Sequence, residues 1–110
     1  MAYIPGRGDV IWLMFDPQAG HEQAGHRPAL VISPRAYNAK IGLSLVCPIT
    51  SQEKHYAFEV AIPAGLPIEG VVLADQIKNL DWRARKADYI CTLPLEITGD
   101  VVSKIIPLLE

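Results

Sequence analysis

The sequence predicts a mainly β domain, a small β-barrel with a short internal helix and a C-terminal helix. Three observations predict it. Six short apolar or alternating runs are separated by Pro- and Gly-rich turns, and only two stretches carry helix signals. The length of 110 residues suits one hydrophobic core and not two, so residues 1–110 read as a single domain. Half the residues are hydrophobic and a fifth are charged, a globular composition.

The elements follow in order. Gly6 to Asp16 reads as a turn and a strand, with Val10, Trp12 and Met14 alternating with Ile11, Leu13 and Phe15. Both faces are apolar, which predicts a strand buried on both sides. DPQAGHEQAGHRP is a long loop of small, polar and turn-forming residues, and long loops in compact domains tend to carry function. ALVIS is a second strand. Ser33 and Pro34 then form an N-cap and a proline at the first helical position, opening a short helix through RAYNAK. LSLVCPI is a third strand, YAFEVAI a fourth, GVVLADQIKNL a fifth and ADYICTL a sixth, with a Pro/Gly turn over residues 63–70. From Pro94 to Leu109, Val101, Val102, Ile105, Ile106 and Leu109 recur at helical spacing, which predicts an amphipathic helix weakened at Gly99 and Pro107.

Several function classes drop out. No apolar run approaches the roughly 18–20 residues of a membrane span, and the N-terminal MAYIPGRGDV has no apolar stretch before its first charges, so no secretory signal is expected. Cys47 and Cys91 lie in apolar surroundings without CxxC or Cys/His clustering and read as small reduced core residues. No metal-ligand spacing, P-loop or GxGxxG occurs, so neither a metal nor a phosphate-bearing cofactor is expected. The net charge of −2 is not that of a nucleic-acid coat. Four of the ten basic residues, Lys78, Arg83, Arg85 and Lys86, nevertheless fall within one short stretch, a patch suited to brief contact with a few phosphates.

Three clusters carry chemistry. His21-Glu22-Gln23-Ala24-Gly25-His26-Arg27-Pro28 gathers two imidazoles, a carboxylate, a carboxamide and a guanidinium, with no large apolar side chain to bury. Arg27 stands where this loop enters the second strand, which can hold its root rigidly. Pro48-Ile49-Thr50-Ser51-Gln52 runs the third strand into a hydroxyl-rich turn. Asp75-Gln76-Ile77-Lys78 continues into Asp81-Trp82-Arg83. Gln76 and Lys78 alternate onto one face of the fifth strand, where they either meet a base edge and a phosphate or form the polar side of an exposed strand. Trp82 either stacks a base, if exposed, or pins its turn, if buried. Trp12 reads as core or dimer interface rather than a stacking platform, and His55 as a surface residue.

GDVIWLMFDP, EQAGHRPALVISP, the CPITSQ turn and GVVLADQIKNLDWRAR, in this order and at these intervals, resemble the MazF/PemK toxins of type II toxin–antitoxin systems. The resemblance runs from about Gly8 to Arg85, and the helical tail fits the same layout. It implies an SH3-like β-barrel, the fold shared with CcdB-type toxins, in a cytoplasmic homodimer. It also implies a sequence-specific, metal-independent endoribonuclease, an mRNA interferase, that needs no cofactor. Such an enzyme cuts single-stranded mRNA to 2′,3′-cyclic phosphate and 5′-hydroxyl ends and so arrests growth. Arg27 matches the family's essential arginine, Thr50 its active-site threonine and Glu22 its loop carboxylate. The implied partner is a MazE-like antitoxin that lays an acidic, extended C-terminal segment over the dimer.

The chemistry of these residue types is consistent with those roles. Attack of a 2′-oxygen on phosphorus needs a base, charge stabilisation on the phosphoryl oxygens and an acid for the departing 5′-oxygen. Arg27 supplies a planar fork of donors for a phosphate and Thr50 a neutral donor to the same oxygens. A guanidinium is a poor base, which makes Arg27 the clamp or the acid and leaves Glu22, His21 or His26 for the base. If His26 and Arg27 lie in extended chain, their side chains face opposite ways; for His26, packing or orientation stands beside direct catalysis. The rival functions are a CcdB-like, non-enzymatic toxin that poisons DNA gyrase, and an antitoxin-binding module without turnover.

Overall fold

The computed structural model describes residues 2–15 and 25–110. Its strands are β1 (Asp9–Met14), β2 (His26–Val31), β3 (Ser44–Thr50), β4 (Glu59–Ala61), β5 (Val71–Leu73), β6 (Lys78–Leu80) and β7 (Asp88–Thr92). The helices are α1 (Arg35–Ile41) and α2 (Leu95–Ile105), and single 3-10 turns cover Ala74–Gln76 and Ile106–Leu109. Every pairing is antiparallel, in the order β4-β5-β3-β2-β1-β7, with β6 also on β3.

The expected barrel is an open sheet: among the described residues β4 pairs only with β5 and β7 only with β1. Helix α2 does the covering that closure would otherwise do. Val101 and Ile105 enter the core formed by Val10, Leu30, Cys47, Ile49 and Val72. The C-terminal helix stops at Ile105 and tightens into a 3-10 turn, because Pro107 has no N–H to continue the α-helical ladder.

The central strands are buried on both faces, as the two-sided apolar pattern of β1 requires. One face holds Val10, Leu30, Cys47 and Ile49 against α2, β4 and β5. The other holds Ile11, Leu13, Ala29, Val31 and Val46 against Tyr3, Ile4 and Trp82. The free thiol of Cys47 lies in the first core, where burial pushes its pKa up to about 12. No helix among the described residues is long and apolar enough to cross a membrane.

The fifth predicted strand is divided. β3 pairs Ile49 with Val72 and Val46 with Lys78, so the two residues of β3 between these pairs face five of the opposing chain. The excess is coiled into the 3-10 turn Ala74–Gln76. β5 meets the end of β3 closely: Gly70 has φ +119°, and a Cβ there would overlap the carbonyl oxygen of Thr50.

Two buried polar residues tie the outer segments to this sheet. Asp9 accepts hydrogen bonds from the Tyr3 hydroxyl (2.6 Å), the Gly6 amide (3.0 Å), the Arg35 guanidinium (3.2 Å) and the Thr92 hydroxyl (3.0 Å). Asn38, fully buried on α1, donates to the carbonyls of Pro5 (2.8 Å) and Ser33 (3.1 Å) and accepts from the Ser33 hydroxyl (2.5 Å). Its own carbonyl takes the indole N–H of Trp82 at 3.0 Å. Ser33 is therefore not the helix cap expected. Pro34 occupies the N-cap position with no side-chain bond, and the Ser33 hydroxyl turns inward to Asn38 and the Leu45 amide.

Replacing Asn38 with Ala strands the Pro5 and Ser33 carbonyls, and the expected loss is about 2–4 kcal/mol. A lower urea midpoint at unchanged m-value is the readout; a shift below ~1 kcal/mol contradicts the hub role. Gly70→Ala is expected to cost more than about 2 kcal/mol, since it combines strain at positive φ with a backbone overlap. A thermal midpoint equal to that of the parent would refute the close β5–β3 approach.

Candidate active site

The pairing of β2 with β3 sets Ala29 opposite Pro48, Leu30 opposite Cys47 and Val31 opposite Val46. Carried two residues further, the same register brings Arg27 opposite Thr50. Pro28 and Pro48 lack the N–H groups that would extend the ladder, so the strands part at the position of these two side chains. Alternation puts Arg27 on the face of Ala29 and Val31, and Thr50 on the face of Val46 and Pro48. Ala29, Val31 and Val46 share one core, so Arg27 and Thr50 belong to one side of the sheet.

His26 falls on the opposite side. Its ring stacks on Trp12, with centroids 5.0 Å apart and planes at 26°. That contact gives the imidazole a packing partner, the partly buried Trp12. Thr50 is only 7% exposed. Its Oγ1 accepts from the Gln52 amide at 3.1 Å, which orients the hydroxyl and leaves its proton to be donated.

At the end of β3 opens a cavity of about 390 Å³ lined by Thr50, Gln52, Lys54, Tyr56, Asp75 and Gln76, with Glu59 beside them. The loop between β3 and β4 is pinned there, because the amides of Lys54 (3.0 Å) and His55 (2.8 Å) donate to the Glu59 carboxylate. His55 itself is exposed, at φ 59°, beside Glu53. The Tyr56 hydroxyl donates to Asp75 at 2.5 Å. Burial, the Asp75 bond and the nearby carboxylates push the Tyr56 pKa up to about 12, which keeps it a neutral donor. Tyr56 and Glu59 were absent from the sequence-derived site; an aromatic within the polar run SQEKHY was the available signal.

The remaining predicted residues are distributed more widely. Gln76 ends the 3-10 turn and reaches the cavity, whereas Lys78 opens β6 opposite Val46. The two are thus not neighbours on one strand face, because the turn breaks the alternation between them. Trp82 is 5% exposed, with its N–H bonded to Asn38, so it pins the turn and its ring is not offered to a base. Arg83 is exposed, its guanidinium 4.8 Å from the centroid of the Trp82 ring. Arg85 donates to the Met14 carbonyl at 2.9 Å, beside the end of β1. Neither arginine lines the cavity. Glu22 and His21 lie outside the described residues.

Comparison with known proteins identifies the family of the chain. Residues 6–109 match the family described as PemK-like, MazF-like toxin of type II toxin–antitoxin system. The chain is 55% identical over 85 residues to the endoribonuclease toxin MazF of Escherichia coli K12, covering 77% of this chain and 76% of that one. It is 37% identical over 110 residues to the endoribonuclease toxin ChpB of the same organism, covering 94% and 93%. Its structure is similar to the crystal structure of MazF from Deinococcus radiodurans, with a TM-score of 0.95 and 51% identity over 98% of both chains. It is also similar to a chain of the MazE–MazF crystal structure from that organism, with a TM-score of 0.88 and 44% identity over 98% and 97%. On the match across nearly its whole length, this chain belongs to the PemK-like, MazF-like toxin family of type II toxin–antitoxin systems.

Proposed function

We propose that this chain is the endoribonuclease toxin of its toxin–antitoxin pair and cuts single-stranded mRNA by internal transesterification, with no metal ion or cofactor. The observation that carries this reading is the β2–β3 register, whose continuation by two residues puts Arg27 across from Thr50, a buried residue with an oriented hydroxyl. That pairing suits a phosphodiester. The 2′-oxygen forms its bond to phosphorus as the bond to the 5′-oxygen breaks, leaving a 2′,3′-cyclic phosphate and a 5′-hydroxyl. Arg27 clamps the non-bridging oxygens with paired donors and Thr50 adds a third, stabilising the charge that grows there. Arg27 is a poor base, so the 2′ proton passes to another group, for which the proposed candidates are Glu22, His21 and His26. The departing 5′-oxygen takes up a proton from an acid, for which Arg27 is the proposed candidate. The Trp12 stacking of His26, on the face away from Arg27, weighs against His26 as that base.

The partners follow from the same site. A MazE-like antitoxin with an extended acidic segment suits a groove that binds a polyanion, since its carboxylates compete for Arg27 and the basic residues Lys78, Arg83 and Arg85. We also assign the toxin a homodimeric, cytoplasmic state. The relatives compared above carry endoribonuclease names, which does not favour the gyrase-poison alternative.

The deciding experiment incubates purified protein with a mixed single-stranded RNA in EDTA. The expected products are fragments with cyclic-phosphate and 5′-hydroxyl ends; intact RNA would sink the nuclease reading. In the same assay Arg27→Lys should lose at least about 10²-fold in rate, because a point charge does not reproduce two parallel N–H donors. Cleavage by Arg27→Lys within a few-fold of the parent would remove the clamp role.

A further inference from the structure

Glu59 borders the cavity at the end of β3 and has no part in the phosphate chemistry of Arg27 and Thr50. Its root is rigid. It opens β4 opposite Leu73, its amide donates to the Tyr56 carbonyl at 3.1 Å, and the neighbouring Phe58 carbonyl accepts from Ala74 at 3.0 Å. From there the carboxylate reaches back along the chain and accepts from two successive amides, those of Lys54 at 3.0 Å and His55 at 2.8 Å. Bonds from N–H groups to a carboxylate are roughly twice as strong as those between neutral groups. This grip also accounts for the backbone of His55. Its φ of 59° is a left-handed conformation that a non-glycine residue keeps only where its surroundings impose it.

The loop that receives the grip has little else to define its course. Residues 51–57 are exposed throughout, so apolar burial does not fix them. The first attachment of the loop is the Gln52 amide, which donates to Thr50 Oγ1 at 3.1 Å. Only Glu53 separates that amide from the Lys54 amide held by Glu59. Consecutive Cα atoms are about 3.8 Å apart, so a displacement of Lys54 is passed almost directly to Gln52. The consequence falls on Thr50. While Oγ1 accepts from Gln52, the hydroxyl proton is directed to another acceptor. Without that amide the hydroxyl rotates freely among partners, and its proton has no fixed direction.

We infer that Glu59 is a positioning residue for RNA cleavage: through the Lys54 and His55 amides it fixes the loop whose Gln52 amide orients the Thr50 hydroxyl. The inference rests on the endoribonuclease reading, with Thr50 as a donor to the phosphoryl oxygens. Glu59 acts through Thr50 and not on the reacting atoms, because its carboxylate is already engaged by two backbone amides.

The test uses two variants. Glu59→Gln keeps the size of the side chain but sets an NH2 group against the Lys54 N–H, and Glu59→Ala removes the grip altogether. The first measurement needs no RNA. The temperature dependence of the Gln52 amide proton shift, read by NMR, distinguishes a bonded amide from a solvated one. Gln52 should be bonded in the parent and solvated in Glu59→Ala, while Val46 and Ile49 of β3 keep their amide shifts. A bonded Gln52 amide in both variants overturns the inference. So does a change that extends to Val46 and Ile49, which would make Glu59 a residue of the fold alone.

The second measurement is the single-turnover rate of RNA cleavage. Glu59→Ala should slow it about 10-fold or more, since a displacement of about 1 Å in a catalytic group costs up to ~10²-fold. Glu59→Gln should fall between Glu59→Ala and the parent. In a Thr50→Val background the same substitutions should change the rate by less than about 2-fold, because the group they position is absent. An undiminished further loss in that background overturns the inference, as does a parent-like rate in Glu59→Ala. A parent protein that cuts no RNA refutes the nuclease reading and with it the role in cleavage, whereas the amide measurement still decides whether Glu59 holds Gln52.

Discussion

Strand β3 is paired along both edges, and the rest of the molecule is arranged around that commitment. On one edge its middle residues meet β2, and on the other its two ends meet β6 and β5. Because its side chains alternate into two separate cores, a slip of one residue would exchange apolar and polar positions on both faces at once. The register is therefore strongly determined. Thr50 sits at the last position of this strand, so its place is set by the same burial that stabilises the fold.

Two polar hubs extend the order of the sheet to segments that carry little apolar surface. Asp9 and Asn38 are buried, and their side chains are engaged by neighbours from the N-terminal segment, α1 or β7. A buried network of this kind is favourable only when its members are paired, and it then selects one arrangement over many. Through the Trp82 indole the Asn38 hub also fixes the turn that carries Arg83 and Arg85. The basic patch is thereby attached to the scaffold at the end of β1 and not on a free loop.

The site lies where regular pairing ends. β2 and β3 part after two prolines, and the 3-10 turn lifts Gln76 and Asp75 to the end of β3. Each device frees polar groups from ladder bonding while keeping their roots on rigid strands, the arrangement a preorganised site requires.

The amino-acid order alone determined the mainly β class, the doubly buried first strand, the C-terminal helix and the polar clusters around Arg27, Thr50 and Gln76. These follow from periodicity, turn residues and motif content, all of which are local. Tertiary structure alone decided what depends on distant partners. The fifth strand breaks at Ala74–Gln76 because β3 offers two residues to five between the paired positions, a mismatch invisible in GVVLADQIKNL. Ser33 turns inward because Leu45 supplies an amide, and Trp82 is buried because Asn38 supplies a carbonyl 44 residues away in the chain. Tyr56 joins the cavity because folding brings Asp75 to its hydroxyl. Local preference writes the elements; the pairing of groups far apart in sequence, each needing a partner once buried, decides which of their side chains become the site.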